Sequence, residues 1–135
     1  METTRTKYLG DLRTEMLHIR SGKIIITDAP VDNKGKGEYF SPTDLVASAL
    51  GSCIFTIMGI AAREHGFSIE GSSCTITKIM TEAPRRIGEI KIVFDLRSNS
   101  YTDKQKKILE YCVKTCPVAL SLNESVIQNV TLLFD

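Results

Sequence analysis

The chain has 135 residues, a net charge of +1, 42% hydrophobic residues and 24% charged residues. These values are typical of a globular protein with one core, so we expect a single domain over residues 1–135. The small net charge and the scattered basic residues argue against nucleic acid as a partner. Residues 1–15 lack the apolar core of a signal peptide, which favours a cytoplasmic location.

The first part of the chain is predicted to form two strands and a loop. Residues 12–20 and 23–28 are the predicted strands, and Ser21 and Gly22 between them are typical of a hairpin turn. Residues 29–40 are rich in Gly, Pro, Asp, Asn and Lys, which indicates a loop, or alternatively a linker to another domain.

A long helix is predicted next. Ser41 can cap it, Pro42 suits its first position, and Asp44 completes a capping box. Residues 45–62 carry no charge, and Gly66 is a stop signal. A membrane-associated protein with one span is an alternative, because such a run reaches the lower limit for crossing a bilayer. Half of the run is Gly, Ala, Ser or Thr, however, so we expect a helix buried in a core and no membrane partner.

The second half of the chain is predicted to mix strands and helices. Residues 69–81 and 87–97 alternate as the strands of a hairpin, and the second of them places Ile90, Ile92, Phe94 and Leu96 on one face. Thr102 and Gln105 form a capping-box pattern before an amphipathic helix that should end at Cys116, because Pro117 disfavours helical geometry in the residue before it. A short helix and a last strand are expected over residues 117–123 and 126–134. The order of elements predicts an α+β fold class.

Four cysteines are the candidates for chemistry: Cys53, Cys74, Cys112 and Cys116. The spacing of the cysteines and the two histidines matches no zinc motif, so no metal is predicted. Cys74 lies in a strand pattern and Cys112 on the apolar face of its helix, and both are predicted to be small core residues. Cys53 follows small residues, and Cys116 stands at a helix junction where a side chain can be exposed. A core role remains an alternative for these two as well.

Two cysteine-containing segments resemble one protein family. SPTDLVASALGSC at residues 41–53 and TCPVALSL at residues 115–122 are similar to motifs of the osmotically inducible protein C and organic hydroperoxide resistance (OsmC/Ohr) family. HIRSG at residues 18–22 extends the likeness to nearly the whole chain. The resemblance implies one OsmC-like domain with antiparallel sheets around a long buried central helix. It also implies an intertwined homodimer with active sites at the interface.

The resemblance implies a thiol peroxidase that reduces organic hydroperoxides to alcohols. Cys53 matches the cysteine that attacks the peroxide, Cys116 matches the resolving cysteine, and Arg20 matches the arginine that flanks the thiolate. In the implied reaction a Cys53 sulfenic acid condenses with Cys116 to a disulfide. The implied partners are an organic hydroperoxide and a dithiol reductant, either of lipoyl type or a small molecule, and no cofactor is expected.

A cation near the attacking thiol is needed on physical grounds. Only a few per cent of an ordinary thiol is ionised at neutral pH, and Cys53 lies too far along its helix for the dipole to help. Arg20 is the predicted cation, with His18 as a weaker candidate. In the family a carboxylate is the partner of this arginine, and in this chain Thr43 stands at its position. Glu38 is the residue predicted to supply the carboxylate instead. This departure keeps a second hypothesis open, an OsmC-fold binding or stress-related protein with weak or lost peroxidase activity.

Overall fold

The computed structural model describes residues 1–135, and their contacts group them into two compact units, residues 1–46 and 47–135. The protein has an α+β fold with two three-stranded sheets, which confirms the predicted class. A single domain over the whole chain stays a prediction.

In chain order the elements are β1 (Thr4–Gly10), β2 (Arg13–His18), β3 (Ile24–Asp28), a 3-10 helix (Val31–Asn33), α1 (Pro42–Glu64), β4 (Ser73–Glu82), β5 (Arg85–Asp95), α2 (Asp103–Thr115), α3 (Pro117–Ser121) and β6 (Ile127–Leu133).

The first unit is built on an antiparallel sheet in the order β1-β2-β3. The predicted hairpin is confirmed, although its turn is wider than two residues. In that turn the Gly22 N–H donates to the His18 carbonyl at 2.8 Å, with Gly22 at a φ of 74° that suits glycine. β1 was not predicted, because its sequence is mostly polar and its side chains are almost all exposed.

Residues 29–40 form the predicted loop, and its two ends are joined. The Asp28 N–H donates to the Phe40 carbonyl at 3.1 Å, which closes the loop at its base. Within the loop the Gly37 N–H donates to the Ala29 carbonyl at 3.2 Å. These bonds make the segment a compact loop that belongs to the first unit.

α1 begins and ends where the sequence predicts. The Ser41 N–H donates to Asp44 Oδ2 at 2.9 Å, and the Asp44 N–H donates to Ser41 Oγ at 3.1 Å. This reciprocal pair satisfies two N–H groups that the first helical turn leaves without partners. Past the other end, Gly66 has a φ of 73°, a backbone conformation that favours glycine and stops the helix.

The burial of α1 differs from the expectation of a helix covered on every side. One stripe of the helix is buried: Ala47, Leu50, Gly51, Ile54, Met58 and Ala62. On the other side Val46 and Ile60 are 37% and 49% exposed. α1 is long and apolar enough to cross a membrane, but core helices of soluble proteins share that property, so it is weak support for a span.

The second sheet has the order β4-β5-β6 and is mixed rather than purely antiparallel. β4 and β5 form the predicted hairpin, whereas β6 pairs with β5 in parallel, with Ile92 opposite Val130. A parallel neighbour requires a crossover, and α2 with α3 forms it. The four residues predicted to share one face of β5 and its extension are all fully buried: Ile90, Ile92, Phe94 and Leu96.

The junction between α2 and α3 follows from its local sequence. The capping box at the start of α2 is confirmed, with the Gln105 N–H donating to Thr102 Oγ1 at 3.1 Å and the Thr102 N–H donating to Gln105 Oε1 at 2.9 Å. Pro117 is the first residue of α3. Proline disfavours helical geometry in the residue before it, and Cys116 accordingly has an extended ψ of 138°. The chain therefore changes direction at Cys116.

Candidate active site

Cys53 lies on α1, is half-buried, and packs against the core of the second unit. Two residues earlier, Gly51 lets β4 approach the helix closely. A Cβ at Gly51 would lie 2.6 Å from Ile76 Cδ1, nearer than such atoms pack. The absence of a side chain at Gly51 therefore leaves room for the end of the Ile76 side chain beside α1.

Cys116 is fully buried at the end of α2, which corrects the expectation that its junction could expose the side chain. Its Sγ accepts a hydrogen bond from the Ala119 N–H at 3.2 Å and so caps α3. The correction has a local reason, since a sulfur that caps α3 must lie over the first turn of that helix. Both Cys53 and Cys116 are free thiols.

The structure brings the side chains of Cys53 and Cys116 together. Burial raises the pKa of Cys116, and interaction with the neighbouring Cys53 side chain raises it further, against an opposing effect of the Ala119 N–H. The two side chains are therefore neighbours, with Cys53 packed against the core cluster that contains Cys116. Two cysteines far apart in sequence thus meet, with Cys116 held in its protonated form.

Arg20 lies in the turn between β2 and β3, in the first unit, whereas both thiols belong to the second unit. Its side chain is exposed and forms no ion pair or hydrogen bond. His18, the weaker candidate for the cation beside Cys53, lies in the same region, and its Nδ1 is 2.6 Å from Ser21 Oγ. His18 therefore has a local hydrogen-bond partner. The prediction that Glu38 would serve Arg20 is wrong, because the Glu38 carboxylate pairs with Arg13 at 2.7 Å.

Arg13 is the centre of a charged cluster that the sequence analysis missed. Its guanidinium donates to both Asp28 oxygens at 2.7 and 2.9 Å, as well as to Glu38, and lies 4.8 Å from the centre of the Tyr39 ring. The Arg13 hydrogen bonds hold the pKa of the buried Asp28 below its usual range. The predicted two-residue turn would have placed Asp28 opposite Glu15, and only the wider turn of the structure brings Arg13 opposite Asp28, so the sequence alone carried no signal for this pair.

The other two cysteines are placed as the sequence predicts. Cys112 is a core residue, and its thiol donates to the Ile108 carbonyl at 3.2 Å. Cys74 is half-buried on β4 and packs against the same core. Burial raises the pKa of both thiols, which favours their neutral forms.

The structure is an α+β fold in which a long helix carries Cys53 and a helix junction carries Cys116. A family model described as OsmC-like protein matches residues 35–130. The chain therefore belongs to the OsmC-like family. A comparison with curated proteins found no match.

Solved structures show the same fold over nearly the whole chain. A Psychrobacter arcticus protein, described as a candidate osmotic stress induced and detoxification response protein, is 46% identical, with 98% of this chain and 96% of that chain covered and a TM-score of 0.94. An organic hydroperoxide resistance protein OsmC from Legionella pneumophila is 15% identical, with 98% and 97% covered and a TM-score of 0.72. The organic hydroperoxide resistance protein OhrB of Bacillus subtilis is 14% identical, with 98% of both chains covered and a TM-score of 0.66. At those identities the last two show likeness of fold alone.

Proposed function

We propose that this protein detoxifies peroxides by reducing organic hydroperoxides to alcohols, with Cys53 as the attacking thiol and Cys116 as the resolving thiol. The observation that carries the proposal is the contact between these two side chains in a chain of the OsmC-like family. The fold shared with two organic hydroperoxide resistance proteins supports the same substrate class.

The reaction has three steps. The Cys53 thiolate attacks the outer peroxide oxygen, the O–O bond breaks, and the alkoxide leaves and takes a proton from solvent to become the alcohol, so Cys53 becomes a sulfenic acid. The Cys116 sulfur then attacks the Cys53 sulfur, and its proton leaves with the hydroxyl group as water. A dithiol reductant, of lipoyl type or a small molecule, finally reopens the disulfide by exchange. Burial keeps Cys116 protonated, and the Cys116 thiol therefore carries the proton that leaves as part of water in the second step.

The surroundings of Cys53 favour organic peroxides over hydrogen peroxide. Cys53 is half-buried and packs against the hydrophobic core, and apolar surroundings of this kind favour an alkyl or aryl group over water. We assign Arg20 the role of the cation that stabilises the Cys53 thiolate. A homodimer in the cytoplasm, active without a bound cofactor, completes the proposal.

A disulfide-mapping experiment tests the two cysteines directly. Trypsin separates all four cysteines, with Cys53 in peptide 37–63 and Cys116 in peptide 115–135. One equivalent of cumene hydroperoxide should consume two thiols and link these two peptides. Turnover with dithiothreitol should be lost in Cys53→Ser, whereas Cys116→Ser should undergo one oxidation and retain a Cys53 sulfenic acid. A Cys74→Ser variant with full turnover is the matched control.

A second function is favoured by one observation, the lack of a carboxylate partner for Arg20. A guanidinium without a fixed direction stabilises a thiolate less well, so the protein would then be a binding or stress-related protein with weak peroxidase activity. Turnover of cumene hydroperoxide, tert-butyl hydroperoxide and hydrogen peroxide separates the two functions. Rates no faster than free dithiothreitol with all three substrates would favour the second.

A further inference from the structure

The position of the Cys116 sulfur depends on α3, the helix of five residues that follows it (Pro117–Ser121). The Ala119 N–H donates to Cys116 Sγ at 3.2 Å, and the Leu120 N–H donates to the Cys116 carbonyl at 3.1 Å. Both bonds join Cys116 to the first turn of α3. A movement of α3 would therefore move the sulfur that is proposed to attack Cys53.

α3 is too short to hold its own position. An isolated helix shorter than about 12 residues is marginal in water, and the last four carbonyls of any helix lack a partner within the helix. The Ala119 carbonyl is one of these four, because α3 ends at Ser121. Leu120 on the same helix is 72% exposed, so it contributes little burial. We therefore expect a neighbouring element to fix α3.

Gln128 on β6 supplies the missing partner. Its Nε2–H donates to the Ala119 carbonyl at 3.0 Å. A cavity of about 440 Å³ is lined by Ala119 and Leu120 from α3 and by Gln128 from β6, so apolar packing between the two elements is incomplete here. β6 is itself well anchored, since Gln128 is opposite the fully buried Ile90 in the parallel pairing with β5. The Gln128 amide thus ties α3 to the sheet.

We propose that Gln128 is a positioning residue of the resolving step, which holds Ala119 and thereby fixes the Cys116 sulfur beside the Cys53 side chain. This inference rests on the proposed peroxidase function and leaves the chemistry of its second step unchanged. In that step the Cys116 sulfur forms a bond with the Cys53 sulfur while the hydroxyl group of the sulfenic acid leaves as water. Placing the reacting groups beforehand lowers the barrier, and a displacement of about 1 Å can cost on the order of 100-fold in rate.

The Ala119 N–H has a second effect on the same sulfur. Burial raises the pKa of Cys116, whereas the hydrogen bond from the Ala119 N–H opposes that rise. As Cys116 loses its proton in the resolving step, this N–H stabilises the negative charge that develops on the sulfur. Because Gln128 fixes Ala119, loss of the Gln128 amide should slow the second step. The first step takes place at Cys53 and should be unaffected.

A single-turnover experiment separates the two steps. The reduced full-length protein is mixed with one equivalent of cumene hydroperoxide, and the alcohol, the Cys53 sulfenic acid trapped by dimedone and the Cys53–Cys116 disulfide are followed over time. In Gln128→Leu we expect unchanged alcohol formation and about fivefold slower disulfide formation, the factor that corresponds to one hydrogen bond of typical net strength. Asn129→Leu is the matched control, since the Asn129 amide donates to Glu89 Oε2 at 3.1 Å on the same strand, and both rates should stay unchanged.

Gln128→Glu separates the hydrogen bond from the packing of the side chain. The two side chains have nearly the same shape, but an ionised carboxylate cannot donate to the Ala119 carbonyl, whereas a protonated carboxyl group can. An ordinary glutamate has a pKa of about 4.3, so roughly 40% of it is protonated at pH 4.5. Relative to the unmodified protein at the same pH, disulfide formation should rise from about one fifth at pH 7.5 to about one half at pH 4.5. This variant also carries the test if Gln128→Leu does not fold.

The possible results separate this inference from the proposed function. Disulfide formation in Gln128→Leu that is as fast as in the unmodified protein would overturn the positioning role alone. Equal slowing in Asn129→Leu, or a relative rate in Gln128→Glu that does not change with pH, would also overturn it. Failure of the unmodified protein to form any alcohol would overturn the proposed function itself.

Discussion

At the scale of single residues, the candidate thiols differ in the environment that sets their reactivity. Cys116 is fully buried and held as a neutral thiol, whereas Cys53 is half-buried at the edge of the core. A reaction that begins at Cys53 and ends at Cys116 starts at the more exposed of the two thiols. The nucleophile then needs a cation, and Arg20 is the residue assigned to that role.

Loss of Arg20 should slow the reaction of Cys53 with electrophiles. A lost interaction of roughly 1.4 kcal/mol with the thiolate corresponds to about a tenfold smaller ionised fraction at neutral pH. We therefore expect Arg20→Ala to lower the rate of Cys53 alkylation by iodoacetamide at pH 7 by about tenfold. Lys23→Ala removes another cation close to the same turn and serves as the control. Equal rates in Arg20→Ala and the unmodified protein would remove Arg20 from the site.

The Arg13–Asp28 pair should make stability depend on acid. The pKa of Asp28 is lowered in the folded protein, chiefly by its hydrogen bonds from Arg13. The stabilisation is therefore present above the unfolded pKa of about 4 and is lost as the pH falls through the folded value. In urea unfolding, Arg13→Gln should be less stable than the unmodified protein at pH 7, and the difference should shrink below pH 4.

The exposed Arg97–Asp95 pair is the matched control for that measurement. Arg97 lowers the pKa of Asp95 to about 2, but both side chains are substantially solvent-exposed, at 51% and 40%. Solvent screens such a pair, so Arg97→Gln should destabilise the protein less than Arg13→Gln at pH 7. The importance of the buried carboxylate would be contradicted if Arg97→Gln lost more stability than Arg13→Gln. It would also be contradicted if the stability lost in Arg13→Gln did not change with pH.

At the scale of the secondary-structure elements, the packing of α1 on β4 depends on Gly51. An added Cβ would meet Ile76 Cδ1 at 2.6 Å, so Gly51→Ala requires the flexible end of the Ile76 side chain to turn away. Because a side-chain end can move without the backbone, we expect a cost near the lower end of the range of about 1–3 kcal/mol for overpacking. Gly59 on the same helix has no atom within 4 Å of its added Cβ, and Gly59→Ala should be neutral or stabilise by up to about 1 kcal/mol. Thermal unfolding of both variants measures the difference.

A compensating substitution separates the Ile76 contact from a general effect on the helix. Ile76→Val removes the Cδ1 atom that the new methyl group meets, so it should recover much of the stability that Gly51→Ala loses. Additive losses in the double variant would contradict this account.

At the scale of the whole molecule, apolar side chains remain exposed in both units. Ile24 and Ile25 on β3 are 54% and 51% exposed, and Ile60 on α1 is 49% exposed. We expect a homodimer that covers such surfaces, with an interface on the order of 2,000 Å² or more. Light scattering at micromolar concentration should give twice the mass of the chain. Ile60→Lys should reduce that mass, whereas Val31→Lys, in the exposed loop, should leave it unchanged.

The sequence by itself determined the features of this protein that depend on neighbouring residues. Both capping boxes, the end of α1 at Gly66 and the break at Pro117 follow from hydrogen bonds and backbone preferences within a few residues. The buried face of β5 follows from period-two alternation. Such features survive in any tertiary context, which is why motif and pattern were sufficient for most element boundaries.

Only the tertiary structure decided which distant residues meet. The parallel pairing of β6 with β5 and the approach of Ile76 to Gly51 join positions with no local relation in the sequence. The contact of Cys53 with Cys116 does so too, and only the family resemblance anticipated it. The ion pair of Glu38 with Arg13 is likewise set by the tertiary structure, because a carboxylate binds whichever cation the fold brings within reach. The sequence names the groups that can react, but their distances depend on how all the elements pack together, and no local pattern encodes those distances.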